Sequence, residues 1–351
     1  MNMTVHQRPG VYSSYDASTV VSGSGQGRLV GLAAANSAAK PGVLHTVTSY
    51  DEAVTIFGAG GGQDMAELIR LALKNGASGV AAVAVSGEIG YEEAFALLET
   101  AEAAVVLCDS TELTVQQKLR DSVTHASQAR RERLAVVAGA AGDGVNELIV
   151  RAKALNHERV VLAAPCGVDR TGESLSGAVV AAAVAGAIAG EADPAVPLGG
   201  AVLSGLYGLD RRFGDEELDR LILGGVTPVE CVGGVTSVVR GVTTRTMTGD
   251  TEDSTWRDLS TIRVADDVIP ALRNALRAKF RRAKNTEQCR SAIRAQVVLE
   301  LENKLAREVI TGYENVSVAA DSQDPTRCLV GFSFTVAHGL NQIWLTAHIT
   351  V

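Results

Sequence analysis

The feature that most constrains this chain is a regular alternation of short apolar segments with longer amphipathic ones. The apolar segments are rich in Val, Ala and Leu, and a segment of helical periodicity separates most of them from the next. Apolar runs of this length are typical of parallel strands that are covered on both faces by their crossover helices. The sequence therefore predicts an α/β fold whose body is a layered, mostly parallel sheet. The predicted strands of this sheet are 29–35, 43–48, 80–85, 104–107, 134–138 and 159–164.

Two amphipathic helices are predicted in the C-terminal part of the chain. In the first, Asp266 or Asp267 is the expected N-cap, and Pro270 fits the first turn, where its missing N–H costs nothing. The other faces of both helices are charged, so each helix is expected to be half-buried. The apolar residues at helical spacing are Ile269, Leu272, Leu276 and Phe280 in the first helix, and Ile293, Val297, Leu301 and Leu305 in the second.

Strict alternation of apolar and polar residues follows these helices and predicts two strands. One strand covers 330–336, and the other, 343–351, alternates through to the final residue. The end of a chain usually frays. A regular amphipathic strand in this position therefore suggests an edge that pairs with another molecule.

The first residues of the chain are predicted to form an arm that is hinged to the body. Residues 11–15 are a short extended segment, and 22–27 form a flexible Ser/Gly connector. The predicted organisation is an arm and hinge over 1–27, an α/β body over 28–244 and an α+β C-terminal domain over 245–351. Neither a signal peptide nor a membrane-spanning segment is expected, since the apolar runs are too short and too rich in Ala and Gly.

Composition and charge narrow the functional classes. The net charge of −8, from 40 acidic and 32 basic residues, argues against a general nucleic-acid surface. The chain has 5 cysteines and no Cys-x-x-Cys pair, so neither a zinc cage nor a disulfide framework is indicated, and reduced folding in the cytosol is expected. The 6 histidines are scattered without ligand spacing, so no metal site is predicted.

The glycine turn at 139–144 is the best-placed candidate for chemistry. It follows a predicted strand and opens a helix, where backbone N–H groups can hold a phosphate. Its spacing matches no dinucleotide fingerprint, no P-loop lysine follows it, and Asp143, the expected N-cap, would repel an anion. A plain turn is favoured, and a cytosolic α/β nucleotide-binding enzyme that uses this turn is the alternative function.

No nucleophile stands out elsewhere in the chain. Cys166 follows a predicted strand, but no basic residue lies near it in sequence to lower the pKa of its thiol, which favours a packed cysteine. No Gly-x-Ser-x-Gly motif occurs. No catalytic, cofactor-binding or metal-binding residues are therefore assigned.

A run of cations ends the first C-terminal helix. Taken alone, such a run is more typical of a solvated helix end that interacts with the helix dipole than of a patch for an acidic partner. The cations are Arg277, Lys279, Arg281, Arg282 and Lys284.

Several short segments occur in a characteristic order along the chain. They are 8–12, 50–53 with 57–58, 73–76 before a strand, 181–190, 225–229, 240–244 and 256–269. These segments and their order resemble the tail sheath proteins of contractile phage tails, and in particular the short sheath subunits of phage-tail-like bacteriocins and Gram-positive prophages. The large inserted domain of bigger sheaths has no counterpart, so the resemblance implies only the core sheath.

The resemblance implies a structural subunit without catalysis. Such subunits stack as hexameric rings in a helix around an inner tube, and contraction drives the tube through the target envelope. Both extended ends of each subunit add strands to the sheets of neighbouring copies. The arm residues would be Val11, Tyr12 and Tyr15 at one end, and Ile343, Leu345, Ile349 and Val351 at the other.

The resemblance also implies partners for the remaining surfaces. The cations between Arg277 and Lys284 would face an acidic inner tube protein, and baseplate and tail terminator proteins would bind the ends of the polymer. Nucleic acid, cofactors and membrane insertion are not expected. The protein would be made in the cytoplasm of a bacterial host and assembled into a phage or a phage-tail-like particle. A non-contractile shell or tube protein is a third interpretation.

Overall fold

In this computed structural model, the residues described are 29–59, 61–86, 90–341 and 343–348. The strands of the body are β1 (Leu29–Ala35), β2 (Leu44–Val47), β3 (Gly79–Val85), β4 (Val105–Cys108), β5 (Leu134–Ala138), β6 (Val160–Ala164), β7 (Thr227–Val232) and β8 (Val235–Val238). They form an 8-stranded sheet in the order β2-β3-β1-β4-β5-β6-β7-β8. The inner strands pair in parallel, and the edge strands β2 and β8 are antiparallel. The predicted mostly parallel α/β sheet is confirmed.

Helices cover both faces of this sheet. Leu32 of β1 packs into the core under α1, α2 and α6, whereas the next residue, Ala33, packs into the core under α3, α4, α5 and α7. This alternation explains why the strands are apolar throughout, because both faces of each strand are buried. The helices are α1 (Tyr50–Phe57), α2 (Met65–Lys74), α3 (Tyr91–Leu98), α4 (Leu113–Gln128), α5 (Val145–Leu155), α6 (Ala178–Gly190) and α7 (Asp215–Leu223).

Helix α6 is rich in Ala and Gly because it lies almost in backbone contact with α2. A Cβ atom at Gly186 would overlap the backbone of Ala72, and one at Gly190 would lie 2.8 Å from the Cα atom of Gly76. The helix begins at Ala178, and the residues just before it bond elsewhere, since the Leu175 N–H donates to the carbonyl of Gly167 at 2.8 Å. The residues before α6 are therefore part of a loop rather than of the helix.

The C-terminal region is α+β, as predicted. Two helices pack on one face of an antiparallel β11–β12 hairpin around a core that includes Val268, Leu272, Val297 and Leu301. A short hairpin, which periodicity did not predict, precedes these helices. The elements are β9 (Met247–Thr248), β10 (Thr251–Glu252), α8 (Leu259–Phe280), α9 (Glu287–Ala306), β11 (Ile310–Ala320) and β12 (Cys328–Val336).

The predicted start of the first C-terminal helix is wrong. Helix α8 begins at Leu259, so Asp266 and Asp267 lie inside it and Pro270 lies in its interior rather than in its first turn. The helix is longer because Leu259 and Ile262 are buried in the core of the body, and α8 therefore joins the body to the C-terminal core. Of the predicted apolar stripe, Ile269 is 44% exposed, and Val264 and Val268 take the buried positions.

The predicted pair of terminal strands also differs from the structure. The partner of β12 is β11. This strand was not predicted, because irregularities at 310/312 and 314/317 interrupt its alternation of apolar and polar residues. Residues 343–348 form no strand, since a strand requires a paired neighbour and none of the described strands lies beside them. Val11, Tyr12, Tyr15, Ile349 and Val351 lie outside the described residues.

Candidate functional site

The five cations at the end of α8, here called the basic patch, are all exposed. Lys279 Nζ donates to the side-chain oxygen of Gln296 on α9. Arg277, Arg281, Arg282 and Lys284 form no side-chain ion pair or hydrogen bond with any other described residue. Most of the patch is therefore not neutralised within the subunit, and its charge is available to an acidic partner.

The loop that follows α8 is fastened to the tip of the β11–β12 hairpin. The Asn285 Nδ2 atom donates to the carbonyls of Pro325 at 2.8 Å and Arg327 at 3.1 Å. Arg290 Nη1 donates to Asn285 Oδ1 at 3.0 Å and fixes the orientation of the amide. The basic patch and the hairpin tip therefore form one end of the C-terminal region, and sequence periodicity gave no sign of this link.

The β11–β12 hairpin is a sheet of only 2 strands with open edges. Its inner face packs against α9 and carries Phe332 and Phe334, whose rings stack with centroids 6.2 Å apart. No other described strand pairs with the outer edge of β11 or of β12. Unpaired N–H and C=O groups along such edges are a template for strands from other chains.

The segment after the hairpin exposes apolar side chains to an unusual degree. Ile343 is 81% exposed, Trp344 89% and Leu345 92%. Contiguous exposed apolar residues are uncommon on a monomer and typically mark a surface that another molecule covers. Of the predicted C-terminal arm residues, Ile343 and Leu345 lie on an exposed extension that is not paired with the hairpin sheet.

Largely buried ion pairs attach α8 to the body, and no local pattern in the sequence predicts them. Arg159, the residue before β6, donates two hydrogen bonds of 2.7 and 2.8 Å to the Asp266 carboxylate, and Arg273 pairs with Glu132 at 2.8 Å. Burial raises the pKa of Asp266, and the facing Arg159 guanidinium opposes that shift. These pairs fix the C-terminal region on the body.

The side chain of Asp143 occupies the glycine turn at 139–144. The Asp143 carboxylate accepts the Ala140 N–H at 2.8 Å and pairs with Arg151 at 3.2 Å. The sequence predicts Asp143 as the N-cap of α5, but this prediction is wrong. Gly144 occupies the N-cap position, without a side-chain hydrogen bond. The turn therefore presents a carboxylate, rather than free N–H groups, to any anion.

Cys166 lies beside this turn and is buried. Burial raises the pKa of its thiol to about 12, which keeps it in the unreactive protonated form at neutral pH. Among the residues that the structure describes, no group of His, Cys, Asp and Glu side chains is arranged to hold a metal ion. Across the same ranges, no helix combines the length and the apolar character that a bilayer crossing requires.

Two family models match the chain. The phage tail sheath protein central domain matches residues 84–244, and the phage tail sheath C-terminal domain matches residues 251–350. The tail sheath protein of Bacillus phage SP01 is 28% identical over 250 residues. That match covers 70% of this chain and 42% of the phage protein, so this chain spans less than half of that relative's length.

Solved structures of sheath proteins share the fold at low sequence identity. The anti-feeding prophage helical sheath in its contracted state has a TM-score of 0.74 at 17% identity, over 98% of this chain and 99% of that chain. A sheath tail protein from Desulfitobacterium hafniense gives 0.70 at 13% identity, over 93% and 100%. The contracted PVC sheath complex of an extracellular contractile injection system gives 0.69 at 16% identity, over 99% and 99%.

The matched domains follow one another in the same order as the α/β body and the α+β region described above. Together they cover most of the chain, and the fold agrees with that of sheath proteins along nearly its whole length. The chain therefore belongs to the phage tail sheath protein family.

Proposed function

We propose that this protein is the sheath subunit of a contractile tail or injection system. Its copies form hexameric rings that stack in a helix around an inner tube, and contraction drives the tube through the target envelope. The observation that carries this proposal is that the same chain has both an open, two-stranded hairpin and an exposed apolar extension. The hairpin has unpaired strand edges and the extension has no strand partner, so the extension of one copy pairs with the hairpin of another.

Strand exchange joins the copies. Segment 343–351 of one copy and segment 11–15 of another add to the open edges of the β11–β12 hairpin in a neighbour. Each added backbone hydrogen bond contributes about 1 kcal/mol, and burial of apolar side chains contributes about 25 cal/mol per Å². An interface of many such contacts holds the polymer together without a large rigid surface.

The basic patch binds an acidic inner tube protein. Support comes from its exposure and from the absence of intramolecular ion pairs at all five of its cations within the described residues. Exposed ion pairs are each worth at most about 1 kcal/mol. Such a contact guides assembly on the tube and can still be released when the sheath contracts. Baseplate and terminator proteins bind the two ends of the polymer.

Each subunit moves nearly as a rigid body during contraction, and the arms act as tethers. The ion pairs between α8 and the body, Arg159–Asp266 and Arg273–Glu132, support this part of the proposal. One set of contacts between subunits is exchanged for another, as in other transitions that repack interfaces. The function is structural and needs no catalysis. Synthesis takes place in the cytoplasm of the bacterial host, before assembly into the particle.

Truncation of either arm tests strand exchange. Deletion of 343–351, or separately of 1–15, removes a donated strand and leaves the described cores intact. We expect each truncated protein to stay folded and soluble by circular dichroism, and to form no sheath polymers in negative-stain micrographs.

The full chain is the control and is expected to form wide polysheaths with cogwheel cross-sections. Normal polymers from both truncated proteins would refute the exchange of strands. Thin, smooth tubes from the full chain would instead indicate a non-contractile tube protein.

A further inference from the structure

We propose that a body loop, residues 191–198, is the seat from which the C-terminal arm leaves the subunit. The contact of Gly339 with Pro197 on this seat loop sets the direction in which the arm departs. The inference rests on the proposed strand exchange and adds a pair of positioning residues to it. The body, rather than the hairpin that precedes the arm, sets the direction of the arm.

The approach of Gly339 to Pro197 leaves no room for a side chain. A Cβ atom at Gly339 would lie 2.7 Å from both Cβ and Cγ of Pro197 and 3.0 Å from its Cδ. These atoms belong to a rigid ring that cannot rotate away. Gly339 is not among the glycines with positive φ, so space rather than backbone conformation requires a glycine here.

The contact lies at the point where the chain changes partners. The Ala337 N–H still donates to the Val309 carbonyl at 3.3 Å, one residue beyond the end of β12. Gly339 then touches the seat loop, and from Leu340, which is 74% exposed, the chain extends toward the exposed residues of the arm. The seat therefore lies between the last hairpin contact and the apolar extension.

The seat loop is held by a partly buried arginine from α8, Arg263. The Arg263 guanidinium donates to the carbonyls of Glu191 at 3.0 Å, Asp193 at 3.3 Å and Val196 at 3.3 Å. Burial lowers the pKa of Arg263, and the nearby acidic side chains of Glu191 and Asp193 oppose that shift. A planar guanidinium with several donors suits this task, because it binds three carbonyls from one position.

The other end of the seat loop is packed against the body. Leu198 is 5% exposed, and its Cβ atom lies only 2.7 Å from where a Cβ atom at Gly241 would stand. A Cβ atom at Gly199 would lie 3.0 Å from the carbonyl oxygen of Val239. Pro197 is thus part of a loop fixed at both ends, which makes it a solid support rather than a mobile one.

A fixed departure direction matters because the arm must reach one neighbour among several in a helical lattice. A tether that leaves in a defined direction has a high effective concentration at one site, whereas a freely hinged tether spreads over many sites. The seat raises the probability that the arm pairs with the correct hairpin edge. Displacement of Gly339 from Pro197 should therefore reduce polymerisation without unfolding the subunit.

The test uses Gly339→Ala in the full chain, with Gly61→Ala as the matched control. Gly61 lies in the exposed loop before α2 and is not among the glycines with positive φ, and a methyl group there would meet nothing within 4 Å. The decisive variant is the double substitution Gly339→Ala with Pro197→Gly, which removes the Cβ, Cγ and Cδ atoms that the new methyl group would strike. Polymer yield is measured by sedimentation and cryo-electron microscopy, and folding of the free subunit by thermal melting.

We expect Gly339→Ala to lower polymer yield by about tenfold or more, or to change the helical twist, with little change in the melting temperature. Gly61→Ala should match the wild type, and the double variant should recover most of the lost yield. Wild-type yield and twist from Gly339→Ala would overturn the inference, as would failure of the double variant to improve on the single one.

A second measurement separates this inference from the proposed function. If the wild type itself forms no sheath polymer, strand exchange fails, and the seat is tested instead by hydrogen exchange in the free subunit. Gly339→Ala should then speed amide exchange across 337–341 and at 196–198, and the double variant should slow it again. Unchanged exchange at both segments would overturn the seat.

Discussion

His157 shows how the surroundings of a single side chain decide its charge. Its Nδ1 atom accepts the Arg159 N–H at 3.1 Å, and its Nε2 atom lies 3.1 Å from the hydroxyl of Thr124, which donates onward to the Arg120 carbonyl. Both contacts suit the neutral ring with the proton on Nε2. Burial lowers the pKa of His157; the carboxylate of Glu158 opposes the shift, and the nearby arginines add to it.

This environment predicts that acidification destabilises the subunit. The unfolded chain binds a proton at His157 below about pH 6.5, while the folded protein resists it. Stability contributed by the neutral ring is therefore present above pH 6.5 and is lost as the pH falls toward the lower folded pKa. The free energy of unfolding should drop between pH 7 and pH 5 more steeply in the wild type than in His157→Gln.

Urea unfolding at several pH values measures this difference. His125→Gln, at a side chain that is 73% exposed, is the control for replacement of a histidine by glutamine at the surface. Identical slopes for the wild type and His157→Gln would show that this histidine does not resist protonation in the folded state.

Among the elements, α8 has the most varied surroundings. Its first turns are buried in the core of the body, its middle packs on α9 and the hairpin, and its last turn is exposed and cationic. A helix in globular proteins usually buries one stripe along its whole length. In α8 the buried residues pass from one core to the other, so its basic end is held at a fixed distance from the body.

Charge reversal at the end of α8 tests the proposed tube contact. Arg281→Glu with Arg282→Glu should weaken assembly on the tube, because acidic residues would then repel an acidic surface. Free, contracted-form polysheaths should still form, since the arms are intact. Electron microscopy of co-expressed sheath and tube proteins measures both outcomes.

The matched control is Lys153→Glu with Arg212→Glu, which makes the same change of net charge at exposed positions of the body. If templated assembly is equal in both double variants, the patch has been assigned to the wrong partner. Loss of free polysheaths in the α8 variant would place these arginines in contacts between copies instead.

For the whole molecule, the central question is what keeps the C-terminal region in place on the body. Arg159 and Asp266 are separated by 107 residues, and their side chains are only 14% and 16% exposed. Lys304 pairs with Asp267 at 2.5 Å one residue further along α8, which ties α9 to the same point. Body, α8 and α9 therefore meet at two adjacent carboxylates, so movement of one implies movement of the others.

Removal of one member of the Arg159–Asp266 pair should lower the free energy of unfolding. Asp266→Ala leaves the buried Arg159 guanidinium without its carboxylate, and a loss of about 3–5 kcal/mol in the free energy of unfolding is expected. The double variant Arg159→Met with Asp266→Leu should recover most of that loss, because no buried charge is left unpaired. Chemical denaturation of the three proteins measures the difference.

Arg327→Ala is the control, because it breaks an ion pair in which the arginine side chain is 60% exposed, and it should cost at most about 1 kcal/mol. Equal losses for Arg327→Ala and Asp266→Ala would show that the buried pair does not anchor α8. The polymers of Asp266→Ala should also be less regular, if a rigid subunit is what the lattice requires.

The sequence by itself determined the elements of the body. The strand Leu134–Ala138 was predicted at its observed position, and the helix Val145–Leu155 follows the glycine turn that was predicted to open a helix, because buried strands and amphipathic helices carry their pattern in adjacent residues. The exposure of the basic patch was also predictable, since a run of cations at a helix end remains in water.

The tertiary structure alone decided which distant residues meet. The start of α8 depends on the body core that buries Leu259, and the bulged strand β11 forms only against β12. The Arg159–Asp266 pair and the contact of Gly339 with Pro197 likewise join segments far apart in the chain. Local periodicity contains no information about such contacts, because they arise from the packing of complete elements against one another.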